Sequence, residues 1–308
     1  MSRLTWIKKI LNQKPESIFK FTTAVKVAAI PVVTGMFLYV ALWFFLKINL
    51  VTFNANGLFD VVALESAYYE YIFSKSYNLS PYIILFEIIA FLLGYYLSTL
   101  LLRPFKMIGD YCEDSINGKE VIYDPDFFTD LKLLTQFSEF FFNIIESAKK
   151  NKKLEQVIIP TKFTRIHGPV FEGTFFLQYF LIILIVAIIG AVLVHQFIFS
   201  IYGGLIDISI DSIGQNNLLR QILIDQKSLL NTLYYGTIFI YALLYISMSI
   251  NLYSKVAAPA FGIFATMRSF LKGKYSNRVH FLGFGYIRNE SRSMNKFLDK
   301  VSRELTNK

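Results

Sequence analysis

Four apolar runs, at 27–46, 82–102, 175–200 and 234–253, constrain this chain of 308 residues more than any other feature. Each has the roughly 20 residues that a helix needs to cross about 30 Å of hydrocarbon. Charged residues make up 17% of the chain, against about 25% in soluble domains. Core helices of a large soluble enzyme rarely hold such length without a polar face. The expected class is therefore all-α: a polytopic membrane protein with four transmembrane helices.

The charges suggest an orientation. Of 31 Lys and Arg, six lie in residues 1–26, ten in 103–172 and eleven in 254–308. The intervening segments 50–80 and 201–233 hold only Lys75, Arg220 and Lys227. Lys47 closes the first run, where its head can snorkel to the interface. Cationic segments resist translocation, so the basic segments and both termini are expected in the cytoplasm. The two intervening segments then become outer loops of 31 and 33 residues, below the roughly 50 residues of a ligand-binding domain. Residues 61–73 look helical, and Tyr68, Tyr69, Tyr71 and Phe73 offer aromatic surface to an interfacial belt or to a partner. The net charge of +9 is mostly this sidedness. It suits anionic lipid headgroups, so membrane lipids are expected partners. Nucleic acid is not, because the cations are divided among three tethered segments.

Trp6, Ile7, Ile10 and Leu11 fall at helical spacing in the basic segment 1–26, which reads as an interfacial amphipathic helix. No small-residue cleavage site follows the first apolar run, so a cleaved signal peptide is not expected. The single cysteine, Cys112, excludes an intrachain disulfide.

The chain reads as one unit written twice: an apolar span, an outer loop, a second span, a proline and a helical cytoplasmic stretch. Segment 27–102 is the first transmembrane hairpin and 103–147 its cytoplasmic module. After a linker at 148–174, the second hairpin is 175–253 and its module 254–308. The second and fourth spans end in Leu-Leu-Arg103-Pro104 and Lys255-Val-Ala-Ala-Pro259. Gly118 and Gly273 follow these prolines at the same interval, each before a lysine. A constant shift also superposes Ile108 on Ile263, Cys112 on Met267 and Ile116 on Leu271, a stripe with the spacing of one helix face. The prolines fit the first turn of a helix leaving the membrane, and the glycines fit left-handed stops. A polar connector then leads to a second amphipathic helix. Ile287, Met294, Leu298, Val301 and Leu305 recur as in a coiled-coil seam, and Leu131, Leu134, Phe141 and Ile145 do much the same. Asp124-Pro125-Asp126 marks the first connector, and Thr129 is a candidate cap.

This pattern resembles the HAMP signalling module. In the second half Pro259, Gly273-Lys-Tyr-Ser-Asn-Arg278-Val279 and Met294-Asn295-Lys-Phe297 carry the resemblance. In the first half Pro104, Gly118 and Phe142-Asn143-Ile-Ile145 carry it. Both copies lack the family's Asp-Glu-x-Gly before helix two, where Tyr286 and Leu134 align with its Glu. HAMP modules lie between membrane helices and outputs in chemoreceptors and sensor kinases, so the resemblance implies a bacterial inner-membrane signalling protein. It also implies a parallel four-helix bundle, usually built from two chains. Here the two modules pair with each other in one chain, or each pairs with its counterpart in a homodimer.

Two ionisable residues fall inside the spans. Glu87 lies about six residues into the second and His195 about five from the outer end of the third. Such groups are costly in hydrocarbon unless they face protein or water. A Glu87–His195 contact, or one from Glu87 to Lys47, would serve as a helix-packing bond or as a proton-responsive site. Only His167, His195 and His280 are present, at different levels, and they make neither a haem pair nor a metal set. No phosphate-binding, dinucleotide, nucleophile-elbow or zinc-protease motif occurs. No catalytic residue, cofactor or metal is expected. The leading expectation is a non-enzymatic signal-transducing or adaptor protein that passes membrane or periplasmic input to a cytoplasmic or membrane partner. The alternative is a structural or transport-complex membrane subunit.

Overall fold

A computed structural model describes residues 15–57, 61–119, 121–124, 131–151, 157–214 and 216–306. These residues form seven helices and no strand. In chain order they are α1 (Pro15–Ala55), α2 (Val61–Ile116), α3 (Lys132–Asn151), α4 (Thr161–Thr164), α5 (Gly173–Ile213), α6 (Asn217–Leu271) and α7 (Arg288–Thr306). A 3₁₀ turn, Gly285–Ile287, leads into α7. The amphipathic segment expected around Trp6 and the cap expected at Thr129 lie outside the described residues, as do Pro125 and Asp126.

Helices α1, α2, α5 and α6 are long and apolar enough to cross a membrane. Only 22% to 33% of the most apolar stretch of each is buried inside the protein. The rest points outward: Phe44 is 60% exposed and Ile188 56%. Monomers in water rarely expose contiguous apolar patches beyond a few hundred Å². The outward faces of these helices suit hydrocarbon, and a buried soluble core does not describe them.

Two sequence expectations change. The described residues of segments 50–80 and 201–233 are mostly helical: α1 runs on to Ala55, α2 starts at Val61, α5 runs on to Ile213 and α6 starts at Asn217. The reason is their own apolar stripes. Leu64, Tyr68 and Ile72 on α2 and Leu219, Leu223 and Leu230 on α6 recur at threes, fours and sevens and are buried together. The second change concerns Pro104 and Pro259. Neither starts a helix: α2 and α6 run through them as elements of 56 and 55 residues. A proline inside a helix frees the carbonyl four residues earlier. For Pro259 that carbonyl belongs to Lys255, and it accepts the Tyr286 hydroxyl at 2.7 Å.

The chain divides into two compact units. The apolar unit comprises Ala24–Gly94 and Ile183–Met248; the basic unit comprises Met1–Thr23, Tyr95–Ile182 and Ser249–Lys308, with most of the lysines and arginines. In the apolar unit, Leu38, Leu42 and Phe53 of α1 meet the α2 and α6 stripes together with Ile198, Ile201 and Leu205 of α5. A smaller cluster joins Val27, Phe86, Ala90 and Val186. There the backbones of α1 and α2 approach closely, since a Cβ at Gly94 would sit 2.8 Å from Ala24 Cα. Such contacts between small residues are how helices associate where apolar burial gives no advantage over lipid.

In the basic unit the seam residues face inward. Leu131, Leu134, Phe141, Ile145, Met294, Leu298 and Val301 are all at most 2% exposed, as are Ile108, Cys112, Ile263 and Met267. Aromatic rings join the helices. Phe137 of α3 meets Phe264 of α6 at 4.6 Å between centroids, Phe142 of α3 meets Phe297 of α7 at 5.7 Å, and Tyr111 of α2 meets Phe297 at 6.2 Å. Residues of α2, α3, α6 and α7 thus share one core within a single chain.

Candidate functional site

In the basic unit, polar side chains from one segment complete the backbone ends of another. The first turn of α3 has unpaired N–H groups, and Glu172, immediately before α5, supplies their acceptor. Lys132 N donates to its Oε2 at 2.7 Å and Leu133 N to its Oε1 at 2.9 Å. Burial raises the Glu172 pKa above the ordinary carboxylate value, and these two N–H groups and Lys132 oppose that shift. The carboxylate is also matched to the positive end of the helix dipole. Glu172 N donates to the Tyr253 hydroxyl at 2.6 Å, which in turn donates to Val170 O at 2.9 Å. The entry to α5 is thereby tied to α3 and to α6.

The opposite end of α2 is completed by α7. Lys300 Nζ donates to the carbonyls of Ser115 at 3.2 Å and Ile116 at 3.1 Å, a cation at a helix C-terminus. Arg268 of α6 donates to Phe163 O at 3.0 Å and Ile166 O at 2.6 Å, which holds the turn around α4. Gly109 of α2 lies against Glu290 of α7, where a Cβ would be 3.1 Å from Glu290 Cα. Burial, with Glu16 and Asp110 nearby, raises the Glu290 pKa; a bond to its own N–H and Lys106 oppose it.

The residues singled out in the sequence take the following places. Gly118 and Gly273 have φ of 77° and 86° and end α2 and α6 in the same way. Lys119 N bonds to Asp114 O and Lys274 N to Ser269 O, both at 3.1 Å, the bonding of a Schellman stop. Pro104 and Pro259 are buried within their helices. Asn295 grips the connector: Val279 N donates to its Oδ1 at 2.8 Å and its Nδ2 donates to Val279 O at 2.9 Å. Arg278 Nε adds a bond to Asp299 Oδ1 at 2.8 Å. Asn143 of α3 is exposed. Tyr286 lies in the 3₁₀ turn before α7. It stacks on Phe19 at 4.4 Å and completes Lys255.

In the apolar unit the expected pairs are not formed. Lys47 bonds to Glu65 at 2.6 Å and lies over the Trp43 and Tyr69 rings. His195 is exposed and packs on Phe199 and Tyr234, at 4.4 and 5.0 Å between centroids. Among the described residues no hydrogen bond or ion pair joins Glu87 to either. Glu87 instead lines a cavity of about 370 Å³ with Pro31, Gly35 and Tyr39 of α1, Ser76 and Ser80 of α2, and Gly190 and Val194 of α5. Its Oε2 and the Ser76 Oγ are buried and make no hydrogen bond within the protein.

Prolines in the same helices show what satisfied polar groups look like here. Pro31 frees the Val27 carbonyl, which accepts the Tyr245 hydroxyl at 2.9 Å. Pro81 frees that of Tyr77, which accepts Ser80 Oγ at 2.8 Å. Side chains commonly re-satisfy such groups in apolar helices. Among the described residues no group of His, Cys, Asp and Glu could hold a metal ion. No family model, curated protein or solved structure matches the chain.

Proposed function

We propose that this chain is a non-enzymatic signal-transducing or adaptor protein of the bacterial inner membrane, with both termini in the cytoplasm. Membrane or periplasmic input would pass through the long helices to the basic unit, read there by a protein partner. The observation that carries this reading is the Glu172 cap. The residue before α5 holds the first turn of α3, so a displacement of α5 along its axis breaks or remakes two charge-assisted bonds. Continuity of α2 and α6 through Pro104 and Pro259 gives the other two helices direct connections. A switch of this kind needs two packings that differ by a few kcal/mol. Polar bridges at the rim of the apolar core, from Glu172, Lys300 and Arg268, are groups that could be exchanged between two such packings and support that. The two HAMP-like modules, related by internal duplication, would then pair within one chain, which the Tyr111, Phe142 and Phe297 contacts favour over a homodimer.

The second reading, a structural or transport-complex subunit, is favoured by one observation: the cavity beside Glu87 in the apolar unit. Purification of the full chain in mild detergent, with identification of co-purifying proteins, separates the two. Arg292, Lys296 and Arg303 form an exposed stripe on α7. Reversing all three to Glu abolishes recovery of the partner if the basic unit is the output. Recovery unchanged by the reversal supports the structural reading.

A further inference from the structure

The cavity beside Glu87 has an unusual composition for a gap between apolar helices. Its walls are apolar, and α1 is thin there: a Cβ at Gly35 would meet only Val194 Cγ2, at 3.7 Å. Its lip is formed by Val32, Met36 and Ile84, all exposed, so it opens sideways among the outward apolar faces of α1 and α2. Its volume, about 370 Å³, falls within the range of small-molecule sites. Glu87 and Ser76 are eleven residues apart on α2, three turns along the same face and about 16 Å in length. Each carries a buried oxygen with no partner in the protein. An unmatched carboxyl in such surroundings is costly, and neither His195 nor Lys47 relieves it.

We propose that this cleft binds a single-chain amphiphile bearing an ammonium or hydroxyl donor. The donor bonds to Glu87, and the chain lies along α2 toward Ser76. A hydrated metal ion does not fit, because the lining offers one carboxylate among apolar walls. A fatty acid would set carboxylate against carboxylate. An ammonium forms the charge-assisted bond and is the preferred head. The inference goes beyond the signalling reading and stands without it.

The test uses the full chain in phosphatidylcholine nanodiscs with three hexadecyl probes, an amine, an alcohol and a carboxylic acid, each with a diazirine in mid-chain. The amine labels peptides containing residues 31–39 and 190–197 about tenfold more than the acid does, with the alcohol between. Glu87→Gln brings the amine down to the level of the alcohol. Gly35→Leu, which fills the cleft from a wall with room for it, removes labelling by all three. Equal labelling by amine and acid overturns the proposal. So does amine labelling unchanged by Glu87→Gln, or labelling by all three probes that survives Gly35→Leu.

Discussion

In the basic unit, charged side chains reach from one segment to the backbone ends of another: Glu172 to α3, Lys300 to α2, Arg268 to the turn around α4. In the apolar unit one charged side chain does this, Arg220 to Gly214 O at the end of α5, and within the helices hydroxyls serve single carbonyls. Tyr245 serves Val27, Tyr241 serves Ala187 and Tyr71 serves Ser200. The difference follows from solvent. A charge at a helix end near water gains from the dipole at modest desolvation cost, whereas in hydrocarbon a neutral hydroxyl satisfies a carbonyl without bringing a charge along. Rings join the helices of the basic unit, while a close backbone approach at a glycine occurs in both, at Gly94 against Ala24 and at Gly109 against Glu290. Against this background Glu87 stands out: its Oε2 is buried with no hydrogen bond in the protein, whereas Glu65 of the same unit is paired with Lys47.

The sharpest way to break the comparison is to truncate a ring in each unit. Phe297 is 1% exposed among Tyr111 and Phe142. Phe297→Ala should cost about 3–5 kcal/mol, measured by unfolding in mixed micelles. Phe44, 60% exposed on α1, should change by no more than about 0.5 kcal/mol when truncated in the same way. Comparable losses at both positions would remove the distinction between a buried core and a hydrocarbon face.

A smaller effect is expected at the glycines. At Gly94 a Cβ meets Ala24 Cα at 2.8 Å, so Gly94→Ala should destabilise by about 1–3 kcal/mol despite the better helix propensity of alanine. Gly35→Ala, with its nearest contact at 3.7 Å, should stabilise by up to about 1 kcal/mol. The pair tests whether close approach is local to the α1–α2 contact.

Loss of the α3 cap comes next. Glu172→Ala should cost about 1 kcal/mol, seen as faster amide exchange in the first turn of α3, while Glu172→Gln, still an acceptor, should retain most of it. The smallest effect concerns pH. Burial holds the Glu290 pKa above its ordinary value, so the folded state binds its proton more tightly than the unfolded chain does. Stability should therefore fall as pH rises from the ordinary carboxylate value through the raised one. Glu290→Gln should flatten that slope in thermal unfolding across mildly acidic pH. A slope unchanged by Gln would assign it to Glu172 or Asp110.

Much of the fold could be read from the chain, and the failures have physical causes. The spans were legible because twenty apolar residues have few soluble uses, and Gly118 and Gly273 because a left-handed stop favours glycine. The extension of α2 back to Val61 is half legible: residues 61–73 read as helical, but Tyr68 reads as outward aromatic surface, whereas its stripe with Leu64 and Ile72 is buried against α1, α5 and α6. Pro104 and Pro259 misled, because proline fits a first helical turn as well as an interior whose freed carbonyl is served from afar. The partner of that carbonyl, Tyr286 for Lys255, lies 31 residues away. Glu172 lies 40 residues from Lys132, beyond any local capping pattern. Glu87 was legible as a carboxyl within an apolar run, and its surroundings were not, since they come from three helices.

The central claim is that α2, α3, α6 and α7 of one chain form one core. Ser115 and Lys300, joined through a hydrogen bond of 3.2 Å, report on it most directly. With Cys112→Ala, Ser115→Cys and Lys300→Cys, and a protease site placed after Gly214, a short bis-maleimide is applied to the chain in nanodiscs and the protein is then cleaved. The account predicts that the two fragments remain joined at the mass of one chain, at every protein concentration. Fragments that separate, with crosslinks found only between chains, would contradict it.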